Sequence, residues 1–303
     1  RLERARALGL VPAGAPAFPR MPGEPAWAQL TPGQRRIEAR KMEIYAAMID
    51  DVDRHLGQLL GYLRSEGQLH NTVVLVLSDN GPEAHHLEVG WDELGEWVAS
   101  CCDNRYQNMG AADSYLWYGP NWGQAGNTPA RMYKGFTSQG GVRVPALIHY
   151  PAGIAGGLRN NALVSVVDVV PTLLEIIGVS LPGPVFQGRE VAPIQGRSLW
   201  PMLTGKAERV RGPGDYIAWE LFGKRGLRRG DWKIVYEPFH QLLEPRPEGI
   251  RTDRWQLYKL DEDPAELRDL ADKHPQRLAE MIALWEAYRA RNGVILPDWA
   301  SGY

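Results

Sequence analysis

The chain has 303 residues, of which 44% are hydrophobic and 23% are charged, and its net charge at pH 7 is −2. This size allows one large domain or a domain with an appendage. The near-neutral charge argues against nucleic acid as the main partner, because phosphate binding needs clustered Lys and Arg. The longest aliphatic run, residues 73–77, is far too short to cross a bilayer. We therefore expect a soluble protein, cytoplasmic or periplasmic if its source is bacterial.

The two cysteines of the chain, Cys101 and Cys102, are neighbours in the sequence. Because adjacent cysteines rarely bridge, a disulfide framework is not expected, and a reducing compartment is compatible with the composition. The first residue is Arg1, and no signal-like segment follows it. These features predict a processed or truncated start.

The first eighty residues predict one α/β unit. Residues 1–33 are rich in Pro, Ala and Gly and predict loop with at most one short helix. A capping box over Thr31–Gln34 then starts a helix whose apolar residues recur at spacings of three and four until Gly67. The β-branched run at residues 72–77 predicts a strand that is buried on both faces, as in parallel sheets.

This strand ends on an adjacent carboxylate and amide, Asp79 and Asn80. In open α/β sheets, ligands collect beyond the carboxyl ends of the strands. Two hard oxygen ligands at such a point suggest Ca²⁺ or Mg²⁺. Since Asp, Asn and Gly are also common turn formers, these residues by themselves favour a simpler explanation, an Asx turn.

The middle of the chain predicts a long loop followed by a strand and a helix. Residues 82–133 are irregular and aromatic, and their aromatic side chains either form the wall of a pocket or serve as packing anchors. Residues 142–151 predict a second strand, and residues 165–177 predict an apolar helix.

Beyond about residue 205, short strand-like runs separated by turn residues predict an antiparallel sheet. An amphipathic helix from about His274 to Arg291 closes the chain. We therefore predict an α/β fold with two domains. Residues 1–205 would hold part of a doubly wound, mostly parallel sheet flanked by helices. Residues 206–303 would form a small subdomain of an antiparallel sheet and a C-terminal helix.

Three stretches in this order resemble a known family: VVLVLSDNG (73–81), YKGFTSQGGVRVPALI (133–148) and VVDVVPTLLEIIGV (166–179). Together with GDWKIVY and WQLYKLDEDPAELRDLA, they resemble the C-terminal portion of type I sulfatases of the alkaline phosphatase superfamily, and bacterial arylsulfatases most of all. The resemblance covers nearly the whole chain. It implies that residues 1–205 are the C-terminal part of the catalytic domain, whose N-terminal half is the missing partner.

The resemblance also implies an activity and a site. The activity is hydrolysis of a small-molecule sulfate ester, in which Asp79 and Asn80 complete the site of one Ca²⁺ ion and Lys134 donates to a sulfate oxygen. The family nucleophile is a formylglycine made from the Cys or Ser of a C-x-[PA]-S-R motif near the chain start, and it is expected in the missing N-terminal segment. The run that begins at Cys101 matches this motif only in the spacing of Cys and Arg, so we do not expect Cys101 to be the nucleophile. The chain alone is expected to be inactive, with an incomplete Ca²⁺ site.

Several neighbouring residues have weaker functional expectations. Gly140 and Gly141 are predicted to supply a tight backbone turn. For Arg143 a structural ion pair is favoured over an anion ligand. His85 and His86 follow the Asp-Asn pair, but the catalytic histidines of the family lie further upstream, so contact with substrate is not favoured.

Two other functions remain open. A phosphatase or phosphonate monoester hydrolase of the same superfamily is the alternative enzyme, although a two-metal phosphatase would be expected to show Asp-His where this chain has Asp79-Asn80. The chain could instead be an inert or merely Ca²⁺-binding fragment. The sequence upstream of Arg1 would distinguish these alternatives.

Overall fold

The computed structural model describes residues 2–21, 23–85, 92–238 and 254–297. The structure is of mixed α/β type and ends with a small antiparallel sheet and a helix, as predicted. Its helices are α1 (Leu2–Ala7), α2 (Pro32–Ser65), α3 (Asp92–Cys101), α4 (Gly119–Asn127), α5 (Gln139–Val142), α6 (Val169–Ile176), α7 (Trp200–Leu203) and α8 (Pro275–Asn292). Its strands are β1 (Val74–Leu77), β2 (Ala146–His149), β3 (Val185–Phe186), β4 (Arg189–Glu190), β5 (Ile217–Leu221), β6 (Lys224–Arg229), β7 (Trp232–Tyr236) and β8 (Gln256–Lys259). None of the helices described is both long and apolar enough to span a membrane.

Helix α2 begins with the predicted capping box. The amide of Thr31 donates to Gln34 Oε1 at 2.9 Å, and the amide of Gln34 donates to Thr31 Oγ1 at 3.3 Å. The apolar face of the helix is present but uncovered, because Met48, Val52 and Leu59 are each more than half exposed. The sequence pattern therefore predicts the helix correctly, but not the burial of its apolar face.

Strands β1 and β2 form a two-stranded sheet. The prediction that β1 is buried on both faces is wrong for this structure, since Val76 and Leu77 are each 36% exposed. On β2, Leu147 is 58% exposed. Burial of both faces requires helical layers on either side of a wider sheet, and the described residues supply two strands of such a sheet.

The segment 82–133, predicted to be irregular, contains the two helices α3 and α4. Helix α4 is rich in Gly and Asn, which have weak helix propensity, but it buries Gly119, Pro120 and Gln124. Tertiary packing therefore outweighs local propensity here. The expectation that the adjacent cysteines do not bridge is also wrong, because they form a disulfide at the end of α3.

The C-terminal sheet has the strand order β5-β6-β7-β8, and β7 pairs antiparallel with both β6 and β8. Leu227, Ile234 and Leu257 face one another across three strands and have no exposed surface. Helix α8 buries Met281 and Trp285. The structure thus confirms the predicted antiparallel sheet and closing helix.

The chain divides into two compact units that are interleaved along the sequence. Unit 1 comprises Arg1–Gly61, Leu77–Ala146 and Ala218–Tyr303, and unit 2 comprises Tyr62–Val76 and Leu147–Ile217. The predicted domain boundary at residue 205 stays a prediction.

In unit 2, a buried carboxylate holds the start of α6. Asp168 has no exposed surface, and its two oxygens accept hydrogen bonds from the Arg211 guanidinium at 2.6 and 2.7 Å. The backbone amides of Ser165 and Arg197 also donate to this carboxylate, each at 2.8 Å. The third sequence motif, VVDVVPTLLEIIGV, therefore has a structural role.

Candidate active site

Asp79 and Asn80 lie directly after β1 and are oriented by local hydrogen bonds. Asp79 Oδ1 accepts a hydrogen bond from the amide of Asn80 at 3.0 Å, and Asn80 Nδ2 donates one to the carbonyl of Gly81 at 2.8 Å. Asp79 is exposed and Asn80 is half-buried. No donor within the described ranges reaches Asp79 Oδ2 or Asn80 Oδ1, so the local turn leaves one oxygen of each side chain available to a ligand.

The side-chain oxygens of Asp79 and Asn80 are suitable ligands for a hard cation, but they are too few to complete its coordination. A carboxylate and an amide oxygen are ligand types that Ca²⁺ accepts, but the ion takes about six to eight oxygens. Across the residues that the structure describes, no cluster of three or more His, Cys, Asp or Glu side chains could hold a metal ion. Asp79 and Asn80 can thus provide at most part of such a site.

Glycines bring the strand end against the loop that carries Lys134. The amide of Gly81 donates to the carbonyl of Gly141 at 3.0 Å, and the amide of Lys134 donates to the carbonyl of Pro82 at 3.1 Å. A Cβ atom on Gly81 would overlap the carbonyl oxygen of Gly140. Gly140 and Gly141 lie in α5 rather than in a tight turn, and their small size allows the two backbones to approach closely.

The ammonium of Lys134 has a partner that the sequence analysis missed. Lys134 Nζ lies 2.8 Å from Glu83 Oε2. The other oxygen, Glu83 Oε1, accepts a hydrogen bond from the backbone amide of His85 at 3.1 Å. It also forms a hydrogen bond with His85 Nδ1 at 2.7 Å. Glu83 therefore joins Lys134 to an imidazole. Its position four residues after Asp79 places it near the candidate site, but no residue pattern indicates its two contacts.

The charges of this cluster shift one another's protonation equilibria. The hydrogen bond from His85, followed by the one from Lys134, lowers the pKa of Glu83 to about 2 against the opposing effect of burial. The bond to Glu83 raises the pKa of Lys134, and the negative charge of Asp79 adds to this effect. Lys134 is therefore protonated at neutral pH and lies within electrostatic range of the Asp-Asn pair.

Buried aromatic residues fix the backbone on either side of Lys134. Tyr133 and Phe136 are 1% and 2% exposed and belong to one apolar core cluster. The His85 ring packs edge-on against Tyr133, with centroids 5.1 Å apart, and is parallel to Phe136 at 6.4 Å. The Lys134 side chain, in contrast, is 47% exposed. His86 lies outside the described residues.

A buried guanidinium, that of Arg131, holds the loop that contains Lys134. Arg131 has no exposed surface, and it donates to Glu237 Oε2 at 2.5 Å, to Ser138 Oγ at 2.8 Å and to Tyr258 Oη at 2.7 Å. Burial opposes its charge, but the electrostatic effects of Tyr258, Glu237 and a second carboxylate, Glu266, outweigh burial and raise the pKa of Arg131.

The two buried carboxylates bind backbone amides at the start of α5. Glu237 accepts a hydrogen bond from the amide of Ser138 at 2.6 Å, and Glu266 accepts one from the amide of Gln139 at 2.9 Å. Glu266 also pairs with Lys233 at 2.9 Å. Both carboxylates and both cations are almost completely buried. This balanced cluster of two acids and two bases holds residues 131–139 in position.

Two further sequence candidates have no contact with this cluster in the structure. Arg143 donates from Nη2 to the carbonyl of Leu10 at 3.3 Å, which is a structural contact rather than an ion pair. Cys101 is bonded to Cys102 and is therefore not a thiol. This is in keeping with the expectation that Cys101 is not a nucleophile.

Comparison with known proteins identifies the family. A family model described as Sulfatase matches residues 14–179, more than half of the chain. The chain belongs to the sulfatase family. A second model, described as the C-terminal part of N-sulphoglucosamine sulphohydrolase, matches residues 131–287 of the chain. The resemblance found in the sequence is thus confirmed.

Individual relatives match this chain over only part of their own length. An uncharacterised sulfatase of Schizosaccharomyces pombe is 39% identical over 300 residues, covering 98% of this chain and 52% of that protein. An arylsulfatase of Klebsiella aerogenes is 33% identical over 200 residues, covering 66% of this chain and 42% of that protein. The chain thus spans about half the length of the curated relatives it matches.

Solved structures show the same fold. A sulfatase of a Pseudoalteromonas species superposes with a TM-score of 0.51 at 22% identity, covering 79% of this chain and 41% of that one. At this level of identity the similarity supports the fold and carries no information on substrate.

Proposed function

We propose that the chain is part of a sulfuric ester hydrolase of the arylsulfatase type, with Asp79 and Asn80 as Ca²⁺ ligands and Lys134 as a sulfate-binding residue. One observation carries the proposal. The Lys134 loop is hydrogen-bonded to the segment that follows Asp79 and Asn80, and the charge of Asp79 acts on Lys134. Family membership supports sulfate ester hydrolysis, and the 33% identical arylsulfatase supports the aryl type.

The available oxygens of Asp79 and Asn80 would hold the cation from one side. When bound, the ion would offset negative charge on the sulfate oxygens. The remaining oxygen ligands, which Ca²⁺ requires, would come from the N-terminal half of the catalytic domain, which is the partner in this proposal.

Lys134 would bind one sulfate oxygen through its ammonium group. Glu83 accepts one of the three N–H donors of Lys134, so that the others can reach an anion. The Lys ammonium is a compact charge on a flexible side chain, so it can stay in contact with the sulfate oxygen as the S–O bond breaks. Contact that strengthens during bond breaking stabilises the transition state more than the ground state. His85 contributes indirectly, since its hydrogen bond to Glu83 helps to keep that carboxylate ionised.

The covalent nucleophile would lie outside this chain. A formylglycine supplies a hydrated aldehyde that attacks sulfur and divides hydrolysis into two easier steps. The sequence contains no C-x-[PA]-S-R motif, so the N-terminal half would supply this residue. The function of the chain in the reaction is then to bind and orient the sulfate group.

The test is hydrolysis of p-nitrophenyl sulfate by the protein expressed from the complete gene. Lys134→Ala should lower kcat about 10²–10³-fold, the usual cost of removing one preorganised charge donor. Lys273→Ala is the matched control, because Lys273 is an exposed lysine in the same unit, and it should retain full activity.

Unchanged kcat in Lys134→Ala would contradict the role of this residue. Efficient hydrolysis of p-nitrophenyl phosphate without hydrolysis of the sulfate would favour the phosphatase alternative. Loss of bound Ca²⁺ in Asp79→Ala, measured by metal analysis of the purified protein, would support the metal assignment. Unchanged Ca²⁺ content would refute it.

A further inference from the structure

The disulfide between Cys101 and Cys102 is a chemical feature that the proposed function does not use. Cys101 is the last residue of α3 and is exposed, while Cys102 is half-buried. Their Cα atoms are 3.7 Å apart, the spacing of adjacent residues across one peptide bond. Exposed disulfides are typically labile or regulatory.

We propose that Cys101 and Cys102 form a reversible redox site that low-molecular-weight thiols open, and that the reduced pair is a dithiol site for trivalent arsenicals. In the opening step, a thiolate of the reductant attacks one sulfur and forms a mixed disulfide. A second reductant thiolate then displaces the protein sulfur. The protein pair gains two electrons and two protons, and the reductant becomes a disulfide.

The reduced pair has the arrangement that a trivalent arsenical requires. Two thiols on adjacent residues can both bond to one arsenic atom, and phenylarsine oxide loses its oxygen as water when these two As–S bonds form. The second bond is intramolecular, so the pair binds more tightly than either thiol alone. Soft thiolate ligands also select soft centres over the hard Ca²⁺ ion proposed for the Asp-Asn pair.

The surrounding hydrogen bonds link this redox state to the loop that follows. The amide of Cys102 donates to the carbonyl of Val98 at 3.2 Å, and the amide of Asp103 donates to the carbonyl of Asp113 at 3.0 Å. Asn104 and Tyr115 exchange two further hydrogen bonds, of 2.9 and 2.8 Å. The disulfide ring fixes the backbone at the junction of α3 and this loop. Opening the ring releases that constraint, so the amides of the junction should exchange with solvent faster.

The first experiment measures the redox state of the native protein. The full chain is equilibrated in glutathione buffers of increasing ratio of thiol to disulfide, alkylated with N-ethylmaleimide and analysed by mass spectrometry. We expect one disulfide in protein purified in air and a graded conversion to two alkylated thiols without unfolding. Two alkylated thiols in the air-purified protein would overturn the proposal. So would a disulfide that is reduced only in denaturant.

The second experiment measures arsenical binding and the response of the loop. Reduced wild-type protein should bind one phenylarsine oxide at least about 10²-fold more tightly than Cys101→Ser or Cys102→Ser, because each variant lacks the second thiol. Circular dichroism checks that both variants are folded. Amide exchange of residues 98–115 should accelerate on reduction, while that of residues 224–236 in the C-terminal sheet stays constant. Equal arsenical affinity in the three proteins, or exchange that is insensitive to reduction, would refute the proposal.

Discussion

Replacing Arg131 with Met tests whether the buried charges hold the loop of the candidate site. Arg131 and Lys233 balance Glu237 and Glu266, and all four side chains are buried. Arg131→Met would leave two buried carboxylates with one cation. Breaking a buried pair by removing one partner costs about 3–5 kcal/mol, because the remaining charge stays uncompensated. At 1.4 kcal/mol per factor of ten, the equilibrium constant for unfolding should rise about 10²–10⁴-fold.

Urea unfolding followed by circular dichroism measures this loss. Arg105→Met is the matched control, because Arg105 forms a similar pair with Asp103 on the exposed surface, where ion pairs contribute little. We expect no measurable change in the control. A loss below about 1 kcal/mol in Arg131→Met, with an unchanged slope against urea, would refute the inference that the cluster depends on its charge balance.

The pH dependence of the same unfolding curves supplies an independent check. Burial would raise the pKa of Glu237, but the charge of Arg131 and the hydrogen bonds from Ser138 outweigh it, and the pKa is lowered from 4.5. A carboxyl whose folded pKa is depressed contributes stability above its unfolded pKa and loses that contribution as pH falls through the folded pKa. The free energy of unfolding of the wild-type protein should therefore decrease as the pH falls below 4.5. In Arg131→Met burial dominates and raises the folded pKa above 4.5, so this contribution changes sign, and the variant should become more stable as the pH falls towards 4.5.

Further predictions concern the site, its glycines and the isolated chain. Glu83→Gln removes the carboxylate that raises the pKa of Lys134, so NMR titration should show a lower lysine pKa, and an unchanged value would rule out the ion pair in solution. The Glu83 carboxyl should titrate near pH 2, so the contact should persist as pH falls through 4.5 and be lost near pH 2. Gly140→Ala would force its methyl group against backbone carbonyls and should destabilise the fold by about 1–3 kcal/mol, whereas Gly156→Ala meets no atom within 4 Å and should be neutral. Residues 1–303 alone should not hydrolyse p-nitrophenyl sulfate in the presence of Ca²⁺, and turnover that disappeared in Cys101→Ala would make that cysteine the nucleophile.

Local signals in the sequence predict the elements that depend on local physics. The capping box at Thr31 and Gln34 marks the start of α2, because both of its hydrogen bonds join residues three positions apart. The short strand-like runs separated by turn residues predict the antiparallel sheet that contains β6, β7 and β8. The adjacent Asp79 and Asn80 predict a ligand position at the end of β1, which stays a prediction.

Other features could not be predicted because they depend on partners that are distant in the sequence. Arg131 and Glu237 are 106 positions apart, and charged residues of this kind are normally exposed unless they are paired. A single sequence gives no sign of which charges are paired. Glu83 was missed for a different reason, since its importance comes from two contacts, with Lys134 and His85, that only the structure reveals.

The loop motif that contains Lys134 meets two later motifs that resemble sulfatases, GDWKIVY and WQLYKLDEDPAELRDLA, in one cluster of hydrogen bonds and ion pairs. The loop motif that contains Lys134 also contains Ser138 and Gln139, whose amides are bound by Glu237 and Glu266 from two segments far along the chain. Neither carboxylate touches Lys134, but both determine where its loop begins to turn into α5. The segments that follow β7 and β8 therefore do more than close the fold. They supply two buried carboxylates, Glu237 and Glu266, that fix the backbone next to an exposed lysine. A change in these segments should act on the candidate site by displacing the loop rather than by removing a reacting group.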